Sequence, residues 1–306
     1  MQFGEVKVIP VGGHGPEDVV VDGEGRIYTG LADGRILRLG PGGVGIETLA
    51  DTGGRPLGLE FYGDDELLIC DAKAGLLTLN LASGKLTTLA TEAAGLPLVF
   101  CNNAAVATDG TVYFTDSSRR FPITKWRDDL IEQTGGGRLL RRSPDGTIEL
   151  IADGLQFANG VALPPDESFV AVAETGEFRV TRFWLTGPFA GTRDVFADGL
   201  AGFPDNISTG SDGLIWVTSA SPRVPALDAV RKLPGPVRAL VRALPTSLQP
   251  SPGREVGVLG LDTAGKVVHE LRGEISGWHV LTGVRERDGK LYFGSLEEPA
   301  IAITSL

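Results

Sequence analysis

The sequence predicts an all-β fold, a six-bladed β-propeller with four-stranded blades, on three observations. A strand-turn-strand unit recurs along the chain: Phe196 to Ala220 holds the Asp205-Asn206 pair, a short apolar strand, the turn Gly210-Ser211-Asp212-Gly213 and a second strand from Leu214. Units of the same form begin at Glu17, Asn102-Asn103 and Asn159, with a more divergent copy from Leu57. The 43 Gly and 19 Pro fall mostly between short Val/Ile/Leu/Tyr/Phe runs, as turns between many strands require. Repeats of roughly 40 to 55 residues, each with an apolar face that only a neighbouring repeat can cover, are the mark of a propeller.

The blades are expected in order. The first spans about Gly15 to Gly54 (PEDVVVD, RIYTGLA, GRILRLG, GIETLAD), and the second runs to about Leu98 (LGLEFY, ELLICDA, GLLTLN, KLTTLAT). The third starts at Asn102 and holds an insertion over residues 118–136; the fourth holds NGVALPP, SFVAVAE, RVTRFWL and TRDVFAD. In the fifth, DNISTG and LIWVTSA are separated from VGVLGLD and KVVHELR by an insertion over 221–254. The sixth has three strands, HVLTGV, KLYFGSL and AIAITSL, and FGEVKVIP at the N-terminus is expected to supply the fourth, closing the ring and removing its open edges. Residues 1–306 therefore read as one propeller domain without a linker.

The insertions interrupt this pattern. Residues 118–136 mix charge and aromatics and are suited to covering one mouth of the propeller. The second contains two short helical stretches, ALDAVRKL and VRALVRAL, around Pro234-Gly235-Pro236. Val237, Leu240, Val241 and Leu244 share one helical face, with Arg238 and Arg242 on another. The expectation is a helix whose apolar side caps the propeller rim; a substrate lid and a membrane-leaning surface are the alternatives.

A net charge of −11 excludes a phosphate-backbone partner and is compatible with a cation site. No basic segment precedes an apolar one at the N-terminus and no run of 18 apolar residues occurs, so the chain is expected to be cytoplasmic, with no transmembrane segment. Cys70 and Cys101 lack metal-site spacing and are expected as buried free thiols, a single disulfide being the alternative.

In a propeller the innermost strands run beside the axis, so the residues that open them converge. Here the openers are Glu17, Asn102, Asn103, Asn159, Asp205 and Asn206, all oxygen donors. A hard-oxygen set without Cys or clustered His suits Ca2+ better than the stricter octahedron of Mg2+. Asn and Asp also suit turns, but that preference does not require the same register in four units. No GxSxG, HExxH or GxxxxGK[ST] occurs. Of three histidines, His14 precedes Glu17 and His279 falls in the expected innermost strand of the sixth unit; both are candidate general bases, while His269 reads as an outer-strand residue.

The segments GPEDVVVDGEGRIYTGLADGRILRL, GRPLGLEF, TVYFTDSS, LQFANGVALPPDESFVAVAET, GFPDNI and DGKLYFGSL, in this order, resemble the strictosidine synthase-like proteins. These are grouped with the gluconolactonase, regucalcin and paraoxonase calcium propellers. The resemblance implies a tunnel calcium held by Glu17, Asn102, Asn159 and Asp205, with Asn206 adding a carbonyl, and a substrate-facing Asn103 where related hydrolases often carry Asp. It also exposes a departure. Strictosidine synthases use a glutamate seven residues before the DG that precedes LYIGS; counting back from Asp288 reaches Thr282 at six residues and Leu281 at seven, and neither is a carboxylate. The expected activity is therefore calcium-dependent hydrolysis of a small-molecule ester or lactone, with Asp205, His279 or His14 activating water or Asp205 attacking directly. A carbonyl lyase or condensing enzyme on the same scaffold, and a non-catalytic calcium-stabilised binding propeller, are the alternatives.

Overall fold

The computed structural model describes residues 1–245 and 248–306. Six four-stranded antiparallel sheets follow one another around an axis, each with its first strand innermost. Blade I comprises Val19–Val21, Ile27–Gly30, Arg35–Gly40 and Val44–Asp51. Blade II comprises Pro56–Tyr62, Glu66–Asp71, Gly75–Asn80 and Leu86–Ala90, and blade III Cys101–Val106, Val112–Asp116, Gly137–Arg142 and Ile148–Leu155. Blade IV is built from Ala158–Ala162, Phe169–Glu174, Arg179–Trp184 and Arg193–Ala197, and blade V from Gly202–Thr209, Ile215–Pro222, Val256–Leu261 and Val267–Gly273. Leu281–Arg287, Lys290–Ser295 and Ala300–Ser305 form blade VI with Val6–Pro10, which pairs antiparallel to the last strand from Val6↔Thr304 to Pro10↔Ala300. The expected closure is thus present, and Pro10, which has no N–H to give, sits on an outer edge where none is needed.

Burial follows radius. The second strand of blade IV, FVAVAE, is buried at every position, whereas the outer strand of blade I, VGIETLAD, is mostly exposed. Inner strands have a blade on each face, so they read as continuous apolar runs rather than alternating ones. Cys70 and Cys101 are free, buried thiols in the apolar layer between blades II and III.

Both insertions lie on one side of the ring. The blade III insertion contains a helix that the sequence reading did not anticipate, α1 (Trp126–Glu132). Asp129, buried, closes its neck by accepting hydrogen bonds from Ser118 Oγ (2.5 Å) and Thr134 Oγ1 (2.7 Å). The blade V insertion carries α2 (Pro225–Arg231) and α3 (Gly235–Arg242), on either side of the expected Pro-Gly-Pro break. The orientation of α3 departs from expectation. Val237, Leu240 and Leu244 are exposed, while Arg238 and Arg242 turn inward, with Arg242 Nε 2.6 Å from Glu132 Oε1 on α1. The apolar face does not cap the rim, because α1 offers α3 carboxylates where an apolar face would need a greasy surface.

Candidate functional site

The inner strands of blades II to VI share one irregularity. Pairing with the second strand slips between Pro56 and Leu59, Cys101 and Ala104, Ala158 and Val161, Pro204 and Ile207, and Leu281 and Val284. Such bulges re-aim side chains and release them from the ladder. They place equivalent residue pairs at the axis: Leu57-Gly58, Asn102-Asn103, Asn159-Gly160, Asp205-Asn206 and Thr282-Gly283, with Glu17-Asp18 as the blade I counterpart.

The second members of these pairs alternate between large and absent side chains because the axis is too narrow for six. A Cβ on Gly160 would lie 2.1 Å from Ile207 N and 2.6 Å from Asn206 Cα, and Gly58 and Gly283 abut the backbones of Asn103 and Asp18 in the same way. Asp18, Asn103 and Asn206 occupy the room so left. Asp18 Oδ2 accepts from Leu59 N (3.0 Å) and from Asn103 Nδ2 (3.4 Å), and Asn103 Oδ1 accepts from Val161 N (3.0 Å). These contacts stitch blades I to IV together. Asn103 is therefore spent on the tunnel wall and does not line the cavity, contrary to the substrate-facing role expected of it.

The polar first members form the floor of a cleft of about 830 Å³, its open mouth included. Glu17, Asn102, Asn159, Asp205 and Thr282 all line it, joined by Thr175. Hydrogen bonding fixes which way the amides face. Ser117 Oγ gives its one proton to Ala158 O (2.7 Å), so it must accept from Asn102 Nδ2 (2.8 Å). Thr175 Oγ1 likewise donates to Pro204 O (2.7 Å) and accepts from Asn159 Nδ2 (3.2 Å). Asn206 Nδ2 donates to both Glu17 carboxylate oxygens at 3.1 Å. Each amide nitrogen is satisfied, and the buried Oδ1 atoms of Asn102, Asn159 and Asn206 are left without a protein partner. Three orphaned acceptors beside two carboxylates constitute a deficit of positive charge.

The carboxylates register that deficit. Burial, then the neighbouring charges of Asp205 and Asp18, holds Glu17 well above the usual carboxylate range, with Arg55 pulling the other way. Burial likewise lifts Asp205 to about 7 against the hydrogen bond from Asn159, and Asp18 to about 6 against the charge of Arg285. Asp205 is the most exposed of these ring residues, the others being buried. Among the described residues no group of three or more His, Cys, Asp or Glu side chains is placed to hold a metal; the donors here are mixed carboxylates and carboxamides.

Neither histidine candidate reaches this floor. His14 is exposed in the loop before Glu17. His279 lies before the inner strand of blade VI rather than within it; its Nδ1 is bonded to Glu298 and its Nε2 is 3.6 Å from Glu297, while Val280 supplies the cleft wall. His269 does lie in the outer strand of blade V, stacked on Trp216. Asp18 and Thr175 were missed in the sequence, the first because it reads as part of the strand DVVV, the second because it lies in the turn after a second strand. Thr282 is held on the floor, its Oγ1 donating to Glu17 O (2.7 Å), and Glu286 is held by Ser211 Oγ, Asp212 N and Gly289 N at the far end of the strand.

Above the floor the walls are apolar. Leu57, Phe100, Phe157 and Phe203 come from the blades; Trp126, Leu130 and Ile131 from the first insertion; Val224 and Leu227 from the second.

A family model described as the SMP-30/gluconolactonase/LRE-like region matches residues 32–233, and one described as strictosidine synthase-like, N-terminal, matches residues 4–39. The chain belongs to the strictosidine synthase-like members of this family. It is 37% identical to Protein STRICTOSIDINE SYNTHASE-LIKE 10 of Arabidopsis thaliana, over 99% of this chain and 89% of that protein. To the adipocyte plasma membrane-associated protein of Rattus norvegicus it is 32% identical, over 96% and 84%. Among solved structures it is similar to a gluconolactonase of Xanthomonas campestris (TM-score 0.71, 18% identity, 98% of this chain and 89% of that one). A second is the calcium-binding regucalcin of Agrobacterium tumefaciens (TM-score 0.66, 15% identity, 97% and 94%). At those identities the likeness establishes the six-bladed scaffold that this family shares. No helix among the described residues is long and apolar enough to cross a membrane.

Proposed function

We propose that this strictosidine synthase-like propeller is a calcium-dependent hydrolase of apolar esters or lactones, acting on the tunnel floor. The observation that carries the reading is the convergence of Glu17 and Asp205 with the buried, partnerless amide oxygens of Asn102 and Asn159 at the base of an apolar cleft, and with that of Asn206 next to Glu17. That donor set fits Ca2+: all oxygen, two formal negative charges, and space on the cleft side for water or substrate. Glu17, Asn102, Asn159 and Asp205 would hold the ion, with Asn206 behind them orienting Glu17. Bound calcium supplies a positive charge beside the substrate carbonyl oxygen, polarising it and stabilising the oxyanion that develops there.

The chain supplies the rest. With both histidines outside the cleft, Asp205 is the carboxylate placed to take a proton from the attacking water. Water adds to the acyl carbon, the carbon–oxygen bond to the leaving alcohol breaks, and the proton taken by Asp205 passes to the leaving oxygen; atoms balance as one water consumed for one acid and one alcohol. Trp126, Leu130, Ile131 and Leu227 line the cleft with hydrocarbon, which favours an alkyl or aryl acyl group over a polyhydroxylated sugar lactone. Neither Leu281 nor Thr282, the two residues at the register where strictosidine synthases carry glutamate, offers a base for amine–aldehyde condensation.

The test is initial-rate hydrolysis of phenyl acetate and of γ- and δ-lactones bearing alkyl chains, with calcium or chelator, on wild type and Asp205→Asn. The reading expects metal-dependent turnover that Asp205→Asn lowers by two orders of magnitude or more. Turnover of none of the substrates by calcium-loaded, folded protein overturns it.

A further inference from the structure

We propose that the helical cap built by the blade V insertion is a docking surface for anionic lipid, laid against the headgroup boundary by the outward face of α3. The first observation is the inverted packing of this helix. It has no buried residue, and Leu233, Val237, Leu240 and Leu244 follow one another at helical spacing toward solvent, continued by Leu248; Leu240 and Leu248 are 69% and 67% exposed. The arginines that would ordinarily face water are turned in, Arg242 to Glu132 and Asp128 of α1. Hence an apolar row held outward by ion pairs on its back needs a cover. Other large apolar side chains that the structure exposes, such as Val44, Leu150 and Phe189, lie in separate blades.

The second observation is charge. Residues 221–254 carry six cations, Arg223, Arg231, Lys232, Arg238, Arg242 and Arg254, against one acid, Asp228, in a chain whose net charge is −11. Lys232, Arg223 and Arg254 are exposed. The cap is thus a basic segment of an acidic molecule, and it exposes both an apolar row and cations. That combination fits an interfacial helix whose apolar side enters the acyl boundary while Lys and Arg meet anionic headgroups. A second copy of the chain fits less well. A two-fold contact through this face would oppose like charges, and one row of aliphatic side chains, on the order of 400 Å², is about half of what each partner gives to a stable protein interface. The same insertion lines the cleft through Val224, Leu227, Pro250 and Pro252, so docking would place the mouth at the lipid surface.

Flotation of the full chain with vesicles of phosphatidylcholine alone, or with phosphatidylglycerol added, tests this without reference to activity. Partition is expected into the phosphatidylglycerol vesicles, reduced tenfold or more by L240E together with L248E and several-fold by Lys232→Gln, but unchanged by L150E on the outer strand of blade III. Unaltered circular dichroism shows that the variants are folded. No partition of the wild type, equal partition into both vesicles, or partition that L240E with L248E leaves intact overturns the assignment. So does a concentration-dependent dimer in sedimentation velocity that those changes dissolve, which would assign the row to a second copy.

Discussion

Stability in chelator should fall as pH rises, and Asp205 is the residue to remove to see why. Burial lifts its carboxyl from the ordinary 3.8 to about 7, so between those values the folded chain holds a proton that the unfolded chain has released. The contribution is complete below about pH 4 and is lost as pH climbs through 7. That rise of the Asp205 carboxyl corresponds to about 4 kcal/mol, the upper limit of what this one group takes away. For a chain of this size, about 2 °C of Tm per kcal/mol makes that a fall of about 8 °C. Glu17 is raised for the same reason and acts in the same direction. Calcium should reverse the slope, because it binds only the ionised carboxylates and stabilises the folded state by mass action, more at about pH 8 than at about pH 5. The assay is Tm by calorimetry across that range in chelator and in excess calcium, for wild type and Asp205→Asn. In chelator the variant should lose the part of the slope that Asp205 contributes, leaving that of Glu17 and Asp18, and its response to calcium should weaken. Superimposable wild-type and variant profiles in chelator, or a Tm at about pH 8 that calcium does not raise, would refute the account of the floor as a charge-deficient cation site.

Three further outcomes follow from the geometry. Gly160→Ala puts a methyl group onto the backbone of blade V and should cost several kcal/mol or prevent folding, whereas Gly235→Ala, with nothing within 4 Å, should leave Tm within a degree or two. Trp126→Ala should lower kcat/KM for long-chain lactones about tenfold more than for short ones, because the ring lines the cleft without touching its floor; equal losses for both would argue against an apolar acyl pocket. Deleting residues 1–10 removes the outer strand of blade VI and bares the last strand from Ala300 to Ser305, so the truncated chain should aggregate or melt well below the full chain, as judged by light scattering and Tm.

The blades, their order and their closure were legible because they are local: a polar opener, an apolar run and a Gly-rich turn occupy about twenty residues and recur. The floor was legible for a related reason. Its first-tier residues sit at equivalent register, so a list of strand openers already names Glu17, Asn102, Asn159 and Asp205. The second tier was not. Whether Asn103 meets substrate or wall depends on the absent side chain of Gly58, 45 positions away and in another blade, and Asp18 looked like strand because nothing in DVVV marks that the strand begins only at Val19. The histidines failed similarly: proximity in sequence to Glu17 and to the inner strand of blade VI says nothing of which way a loop side chain leaves the axis.

The misjudged face of α3 shows how a correct pattern can lead to a wrong contact. Helical spacing of Val237, Leu240 and Leu244 identifies an apolar side, and in most soluble proteins such a side is buried. Burial, though, is decided by the partner. Here the partner, α1, is itself consumed: Leu130 and Ile131 go to the cleft, leaving Asp128 and Glu132 to meet α3. An apolar face set on those two carboxylates would strip them of water with nothing in return, at several kcal/mol per charge, whereas the arginine face sets an opposite charge against them. The apolar wall of the cleft and the apolar row on the surface are therefore consequences of one choice, the orientation of α1. Turning that helix to bury the row would put carboxylates in the cleft.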